Sequence, residues 1–360
     1  MKGIYKYLIV FKKIILYSLG RASKYYQGNE KSGFRKFVDL TLHFFKTGEF
    51  NTMYYAFGLN LSGSKPSDFI GKKQLNRIVL KRNTSLRRNG TQANIRGYDI
   101  LTGDKFYLSS ILKSQGLPVV DNIGLVVQGQ FIDRKGNVYP IEQVLQLQMP
   151  VLFKNTRLEY NEGLLLMEHD TDGFFVNKRK VSKQALLKHF SGQPWVVQDI
   201  CRSSAEIRKI NDTALNTTRI VTLFNQGRPQ YLTGFQAFAT NAELTDSWGK
   251  RAVYVGFDPV SQTLREYGFY HPYMKPDGIT DHHPDSQVYF KGYRIPGLAS
   301  AVKLCMDAHR YLYYTCLIGW DVAITDDGPK ILEANEKPGM NAVQCVDGGL
   351  RNKLHAVKSS

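Results

Sequence analysis

The chain has 360 residues, 42% hydrophobic and 22% charged, a composition that excludes a disordered protein and allows two or three subdomains. Its net charge of +17 is unevenly distributed along the chain. Residues 1–90 carry 18 Lys and Arg against four acids, and the remaining residues together carry only +3. This asymmetry predicts an anionic partner for the N-terminal quarter. The four scattered cysteines form no CxxC pair, which indicates reduced thiols in a cytoplasmic protein and argues against a zinc site.

Residues 1–20 predict a basic amphipathic helix. At helical spacing one face is apolar and the opposite face carries Lys2, Lys6 and Lys13. The apolar face is formed by Ile4, Leu8, Phe11, Ile15 and Leu19. The segment is too short and too charged to span a bilayer, and no signal-peptide cleavage site follows it. Two interpretations stay open: the helix lies peripherally on the anionic inner face of a membrane, or it packs on the protein's own core. The basic quarter lacks a nucleic-acid-binding motif, so we expect no nucleic acid partner.

Further along the chain, helical and strand patterns alternate and predict an α+β fold, with a mainly antiparallel sheet in the C-terminal half. Residues 103–127 predict a helix ended by Gly116 and then a strand. Later segments predict strands, a hairpin at 162–178, a helix at 298–314 and a final strand pair. We divide the chain into a basic helical region (1–90), a small α/β segment (91–149), a catalytic region (150–345) and a tail (346–360).

The most informative stretch is GWDVAITDDGPKILEANEKPGMN, residues 319–341. Alternation places Asp321 opposite Trp320 and Val322, and it places Ile331, Glu333 and Asn335 together on one face. A turn at TDDGP would join the strands as a hairpin and bring Asp321 close to Glu333 and Asn335. Two carboxylates and an amide oxygen form an all-oxygen set that suits Mg²⁺ and leaves coordination positions for phosphate oxygens.

The pattern D…LEAN…PG resembles the C-terminal metal motif of the ATP-grasp superfamily, whose fold has two α+β subdomains gripping ATP. Upstream, GDKFYLSSILKSQGLPV, VLFKNTRLEYNEGLLLM and WVVQDIC are similar to its phosphate-lysine helix, strand-lysine segment and hinge strand. ALNTTRIVTL, YHPYMKPDG and FKGYRIPG are similar to segments of its sugar-transfer-associated group, in the same order. The resemblance covers about residues 50–345 and is most specific at the terminal motif.

The resemblance implies ATP and two Mg²⁺ as cofactors. It implies that Asp321, Glu333 and Asn335 hold the metal, and that Lys105 and Lys154 contact phosphates. It further places Gln198, Asp199 and Glu206 along the adenosine. From the sequence we expect Arg219 to steady an acyl phosphate catalytically, and His271 and Asn216 to contact the substrate.

The sequence departs from the family pattern at two positions. The glycine-rich lid retains only Gly163. Dipeptide-forming relatives have an arginine two residues before the metal aspartate, where this chain has Gly319. We expect Arg219 to supply that missing charge from a neighbouring strand.

The implied activity is an ATP-dependent carboxylate–amine ligase acting through an acyl phosphate. It would attach an amino acid or acyl unit to a nucleotide- or lipid-linked sugar during cell-surface polysaccharide synthesis. Three alternatives stay open: a peptide or natural-product ligase of the same chemistry, an ATP-grasp phosphotransferase, and a non-catalytic scaffold that binds a membrane or nucleic acid, which the charge alone suggests.

Overall fold

The computed structural model describes residues 2–20, 28–87, 100–147, 150–156, 164–170, 173–190, 192–241, 252–271 and 278–355. The helices in these ranges are α1 (Lys2–Ser18), α2 (Gly33–Thr47), α3 (Lys72–Arg87), α4 (Ile100–Gly103), α5 (Lys105–Ser114), α6 (Lys183–His189), α7 (Ala205–Ile210), α8 (Leu298–Tyr311), α9 (Met340–Asp347) and α10 (Arg351–His355), with 3₁₀ turns at Pro66–Asp68 and Ile141–Gln146. The strands are β1 (Asn122–Val127), β2 (Gln130–Asp133), β3 (Val138–Pro140), β4 (Val151–Asn155), β5 (Leu164–Asp170), β6 (Gly173–Val176), β7 (Arg179–Val181), β8 (Trp195–Gln198), β9 (Thr218–Asn225), β10 (Arg228–Ala239), β11 (Ala252–Asp258), β12 (Thr263–Tyr270), β13 (Ile279–Thr280), β14 (Leu317–Thr325) and β15 (Gly328–Asn335).

The first sheet has the strand order β3-β2-β1-β8-β4-β5-β6-β7, and its strand pairs are antiparallel. Its core is built from alternating apolar residues such as Val126, Phe153 and Val197, covered by Leu186 and Phe190 of the α6 segment. Strands from before and after residue 150 share this sheet, so the boundary that we predicted between 149 and 150 lies inside it. The predicted helix and strand of residues 103–127 are confirmed as α5 and β1.

The second sheet has the order β13-β12-β11-β10-β9-β14-β15 and is also antiparallel throughout its named strand pairs. Helix α8 packs on one face, where Leu298, Ala301 and Cys305 join a core that includes Trp320 and Phe238. Helix α9 covers the other face through Met340, Val343 and Val346. The predicted α+β class with a mainly antiparallel C-terminal half is therefore confirmed.

A short seam joins the two sheets. Ile331 of β15 donates its N–H to the carbonyl of Pro118 at 3.1 Å and accepts from the N–H of Val120 at 3.2 Å. Val119 and Ile331 form a parallel bridge and are both buried in the core under α8. The segment that leaves α5 therefore runs directly beside the strand that carries Glu333.

Helix α3 links the N-terminal quarter to the C-terminal sheet. Leu75 and Val79 are buried in the same core as Val343 and Leu354. The side chain of Asn83 accepts a hydrogen bond from the N–H of Cys316 at 2.7 Å. The C-terminal half of the 1–90 region is thus anchored on the catalytic region.

Helices α1 and α2 form a separate small core. Ile14 of α1 packs with Leu40, Tyr54, Tyr55 and Leu59. The predicted apolar face of α1 is not the side on which Ile14 is buried, because Leu8, Phe11, Ile15 and Leu19 are all exposed. Helix α1 does pack on the protein's own core, but it does so through Ile14 and the partly buried Val10 and Tyr17 and not through this face. No helix in the described ranges has both the length and the apolarity to cross a membrane.

Candidate functional site

The site is organised by the β14–β15 hairpin. Asp321 lies directly opposite Glu333, and Gly319 lies opposite Asn335. The predicted hairpin and its facing residues are thus present in the structure. One detail of the prediction is wrong: Ile331 does not share the face of Glu333. A bulge after Asp321 pairs Val322 with Ile331 and turns Ile331 into the core, so the strict alternation that we assumed breaks at Leu332.

Arg219 lies on β9, the neighbour of β14 on its other side. It is the cross-strand partner of Asp321. Its guanidinium donates two hydrogen bonds to that carboxylate, Nε to Oδ1 at 2.5 Å and a terminal nitrogen to Oδ2 at 3.0 Å. This bidentate geometry fixes the planar guanidinium at the centre of the strand face.

Lys105 reaches the same face from the N-terminus of α5. Asp104 caps this helix by accepting hydrogen bonds from the N–H groups of Phe106 and Tyr107. The Lys105 N–H donates to the carbonyl of Thr156 just after β4, at 3.1 Å. Its ammonium lies 3.4 Å from Oε2 of Glu333. The helix start therefore positions Lys105 between the two sheets.

Lys154 lies on β4 and approaches from the first sheet. It interacts electrostatically with Glu333, Lys105 and Asp321. Burial lowers the pKa of Lys154, the attraction of Glu333 opposes that change, and the like charge of Lys105 adds to it. An anion placed between the two lysines would offset the cost of burying the charge on Lys154 and would reduce the repulsion between the two ammonium groups.

The two carboxylates are hydrogen-bonded to each other. Burial raises the pKa of Asp321 to about 7, against the attraction of Arg219 and with the help of the charge on Glu333. Burial also acts to raise the pKa of Glu333, but the hydrogen bond from Asp321 and the cations Lys105, Lys154 and Arg219 outweigh it and lower that pKa. Two acids this close favour either a shared proton or a bound cation.

The donor set fits Mg²⁺. Its ligands would be the carboxylates of Asp321 and Glu333 and the amide oxygen of Asn335, two residues beyond Glu333 on the same strand face. Within the described ranges, no group of three or more His, Cys, Asp or Glu side chains could hold a metal ion. Mg²⁺ usually takes only one or two carboxylates from a protein, and phosphate oxygens or water would fill its remaining coordination positions.

Gln198 ends β8, the strand between β1 and β4, and is 2% exposed. Its side-chain nitrogen donates to Asn122 at 2.8 Å, whereas its side-chain oxygen accepts no hydrogen bond in the described part of the chain. Asn122 in turn donates to Ser109 of α5 at 2.5 Å. This Gln198–Asn122–Ser109 chain connects the predicted hinge strand to the helix of Lys105, and sequence reasoning missed it because the three residues are far apart in the chain.

The other two residues predicted along the adenosine have surface partners. The carboxylate of Asp199 faces Arg134 at 3.4 Å, and its N–H donates to the carbonyl of Asp121 at 3.2 Å. Glu206 lies in the first turn of α7, where its carboxylate pairs with Lys209 at 2.6 Å. The structure does not bring these two carboxylates to the cluster of Asp321 and Glu333.

The two predicted substrate residues are both buried. Asn216 lies in the loop before β9 and donates to the carbonyls of Asn211 and Ala214, while its own oxygen accepts from the N–H of Ala239. Its amide therefore organises that loop. His271 follows β12 directly, and burial lowers its pKa.

Two further features of the hairpin were not evident from the sequence. A Cβ added at Gly319 would lie 2.6 Å from Cβ of Pro338 and 3.5 Å from a guanidinium nitrogen of Arg219. The turn residue Asp326 accepts a hydrogen bond from the N–H of Ala205 at 2.7 Å, and its carboxylate forms an ion pair with Arg208 at 3.2 Å. Asp326 thus caps α7, which agrees with its exclusion from the metal set.

The comparison with solved structures gives only distant similarity. The chain is 12% identical to the D-alanine-D-alanine ligase from Coxiella burnetii, with a TM-score of 0.40 over 74% of this chain and 58% of that one. It is 14% identical to the L-amino acid ligase from Bacillus licheniformis, with a TM-score of 0.38 over 71% of this chain and 48% of that one. It is 11% identical to the phosphoribosylamine–glycine ligase from Thermotoga maritima, with a TM-score of 0.41 over 73% of this chain and 56% of that one. The chain spans about half the length of such proteins, and no curated protein sequence matches it.

A protein-family model gives the decisive match. The family described as "Sugar-transfer associated ATP-grasp" matches residues 82–359, well over half of the chain. The matched region contains the whole cluster described above, from Lys105 on α5 to Glu333 and Asn335 on β15. The resemblance inferred from the terminal motif is thereby confirmed, and this chain belongs to the sugar-transfer associated ATP-grasp family.

Proposed function

We propose that the protein is an ATP- and Mg²⁺-dependent carboxylate–amine ligase that acts through an acyl phosphate and releases ADP. The observation that carries this proposal is the meeting of Lys105, Lys154 and Arg219 with the paired acids Asp321 and Glu333. Cations and acids that face one another across two sheets suit a polyanion bound together with metal ions. Membership of an ATP-grasp family supports ATP as that polyanion.

The residues of the site would bind different parts of ATP. Lys105 and Lys154 come from different sheets and would hold the phosphates between them as point charges. The side-chain oxygen of Gln198 would accept a hydrogen bond from the amino group of adenine, which would satisfy a buried acceptor that has no partner among the described residues. Two Mg²⁺ ions, held by Asp321, Glu333 and Asn335, would offset charge on the transferring phosphoryl group.

The reaction then has two steps. A substrate carboxylate oxygen attacks the γ-phosphorus of ATP, the bond to the β-phosphate oxygen breaks, and ADP leaves. A neutral amine attacks the acyl carbon, phosphate leaves with the bonding electron pair, and the nitrogen loses a proton to form the amide. Arg219 would stabilise the anionic oxygen at the acyl carbon, because its guanidinium is held rigidly by Asp321 before substrate arrives.

We further propose that the acceptor amine belongs to a nucleotide- or lipid-linked sugar, and that the acyl donor is an amino acid or a similar small carboxylate. The family description associates these proteins with sugar transfer, which supports a role in cell-surface polysaccharide synthesis. Such sugars are assembled at the cytoplasmic face of the membrane, and the basic N-terminal quarter suits that anionic surface.

The test is a screen for ADP release with Mg²⁺, in which amino acids and amino sugars are supplied singly and in pairs, followed by mass spectrometry of the product. We expect ADP release to require one carboxylate and one amine, and the product to contain a new amide. Stimulation by free amino acids and not by nucleotide sugars would assign a peptide ligase. A phosphorylated product without an amide would assign a phosphotransferase, and no stimulation by any carboxylate would refute the ligase proposal.

A further inference from the structure

The outer side of helices α1 and α2 carries an unusual density of exposed apolar side chains. Phe34 and Phe45 of α2 are 79% and 78% exposed. The other members are Tyr7, Leu8, Ile9, Phe11, Ile15, Leu16, Leu19 and Leu42, all exposed. We call this set the apolar platform. Contiguous exposed apolar surface of this kind marks an interaction site in a folded protein.

The stripes of the two helices meet. Phe11, half-exposed on α1, contacts Phe37 of α2 edge-on with ring centroids 5.7 Å apart. Tyr7 contacts Phe44 in the same way at 5.8 Å, and Phe44 adjoins Phe45. At helical spacing Phe37 lies between the core-facing Leu40 and the outward Phe34. The platform is therefore one surface that extends across both helices.

The charged side chains that are exposed in the described part of α1 and α2 are all cations. Lys12, Lys13, Arg35 and Lys46 are all exposed on these helices. The single acid in the two helices, Asp39, is turned inward, where it accepts hydrogen bonds from Lys31 at 2.7 Å and the Tyr54 hydroxyl at 3.0 Å. An apolar surface bordered by exposed cations is complementary to an anionic bilayer.

The helix pair is held firmly in this orientation. The ammonium of Lys36, which is buried, donates to the carbonyl of Gly20 at 2.5 Å and pairs with Glu30 at 3.0 Å. Ile14 and Leu40 fill the space between the helices and the 50–60 segment. The platform is thus presented by a packed scaffold.

We propose that the apolar platform is a membrane-docking surface, in which α1 and α2 lie side by side in the interface of a bilayer that contains anionic lipid. The aromatic and aliphatic side chains enter the acyl boundary, and Lys12, Lys13, Arg35 and Lys46 contact lipid phosphates. The sequence alone indicated only residues 1–20; the structure adds Phe34, Leu42 and Phe45 of α2 to the surface. This surface lies outside the ligase site, so the proposal stands independently of the reaction.

The experiment is co-sedimentation of the full chain with phosphatidylcholine vesicles, with and without phosphatidylserine. We expect binding to the anionic vesicles that weakens as NaCl rises. The double substitution Phe34→Ser and Phe45→Ser should lower that binding by at least about tenfold, through lost apolar burial. Lys12→Gln with Lys13→Gln should lower binding to the anionic vesicles by about tenfold or more, and leave binding to neutral vesicles unchanged.

The matched control is Val260→Ser, which removes an apolar side chain that is 90% exposed in the turn between β11 and β12. It should bind vesicles like the wild type. All variants should keep the wild-type thermal melting temperature, because the substituted side chains are exposed. Absence of wild-type binding to anionic vesicles, or undiminished binding by the phenylalanine variant, would overturn the proposal. Self-association of the wild type that the phenylalanine variant abolishes, without vesicle binding, would assign the platform to a second copy instead.

Discussion

Arg219 and Asp321 face each other across adjacent antiparallel strands, and the guanidinium also lies against Gly319, two residues before Asp321. A side chain from β9 thus fills the space above a glycine of β14. We propose that Arg219 supplies from β9 the charge that we expected to be missing at residue 319, and this placement supports that proposal.

Replacing Arg219 with Ala should lower kcat/KM for ADP formation by about 10²–10³-fold, the range seen when one preorganised donor is removed from an oxyanion. Steady-state kinetics with the substrates found by the screen would measure this loss. The matched control is Arg310→Ala, which removes an exposed arginine paired with Asp307 on α8 and should leave turnover unchanged. Wild-type turnover in Arg219→Ala would exclude Arg219 from the reaction.

Asp321→Asn should abolish Mg²⁺-dependent turnover, because an amide lacks the charge that holds a divalent cation. Titration with Mn²⁺ followed by electron paramagnetic resonance would report metal binding in the presence of ATP, without reference to activity. Asp326→Asn is the control, since that acid lies in the turn of the same hairpin and caps α7. It should bind metal normally. Equal metal affinity in the two variants would contradict the assignment.

Gly319→Ala should damage both stability and activity. The added Cβ would lie 2.6 Å from Cβ of Pro338, so β14, which also carries Asp321, or the Pro338 segment would have to shift; with Arg219 it would make only an ordinary contact at 3.5 Å. We expect the free energy of unfolding to fall by about 1–3 kcal/mol, as for other overpacked sites, and kcat to fall with it. Urea denaturation and steady-state kinetics would measure the two effects. In Gly339→Ala the new Cβ meets no atom within 4 Å, so this control should leave both quantities near wild type.

The buried His309 predicts a loss of stability in acid. Its Nδ1 lies 2.7 Å from the Thr222 hydroxyl, which accepts from the Trp320 indole, and its Nε2 lies 2.7 Å from the Thr315 carbonyl. Neutral imidazole satisfies both contacts by donating from Nε2. Burial lowers the pKa of His309 to about 4 from 6.5, so the folded state binds a proton less readily than the unfolded state.

This contribution to stability is complete above pH 6.5 and is lost as the pH falls toward 4. The pKa difference corresponds to at most about 3 kcal/mol. Urea denaturation at a series of pH values should therefore show a shallower acid dependence for His309→Gln than for the wild type. His169→Gln removes an exposed histidine and should keep the wild-type slope. Parallel slopes for all three proteins would show that His309 is not the source.

The strand that carries Glu333 and Asn335 could be predicted from the sequence because apolar alternation and an Asp-Asp-Gly turn are local signals. The bulge at Leu332 could not, since it depends on the seam that Ile331 forms with Pro118 and Val120. The same limit applies to Asn216. From the sequence, its amide could contact a ligand or the backbone, and only the folded loop shows its hydrogen bonds to three backbone groups. Contacts between distant segments decided these cases.

The seam between Ile331 and residues 118–120 also restricts how the cleft can open. Two backbone hydrogen bonds and a buried bridge join the sheets there, two residues from Glu333. Separating the sheets along that edge would expose the apolar side chains of Val119 and Ile331 to water. We therefore expect any opening between the sheets to occur as rotation about this edge. Glu333 would then stay close to the edge, and the proposed ATP would enter and ADP would leave on the opposite side.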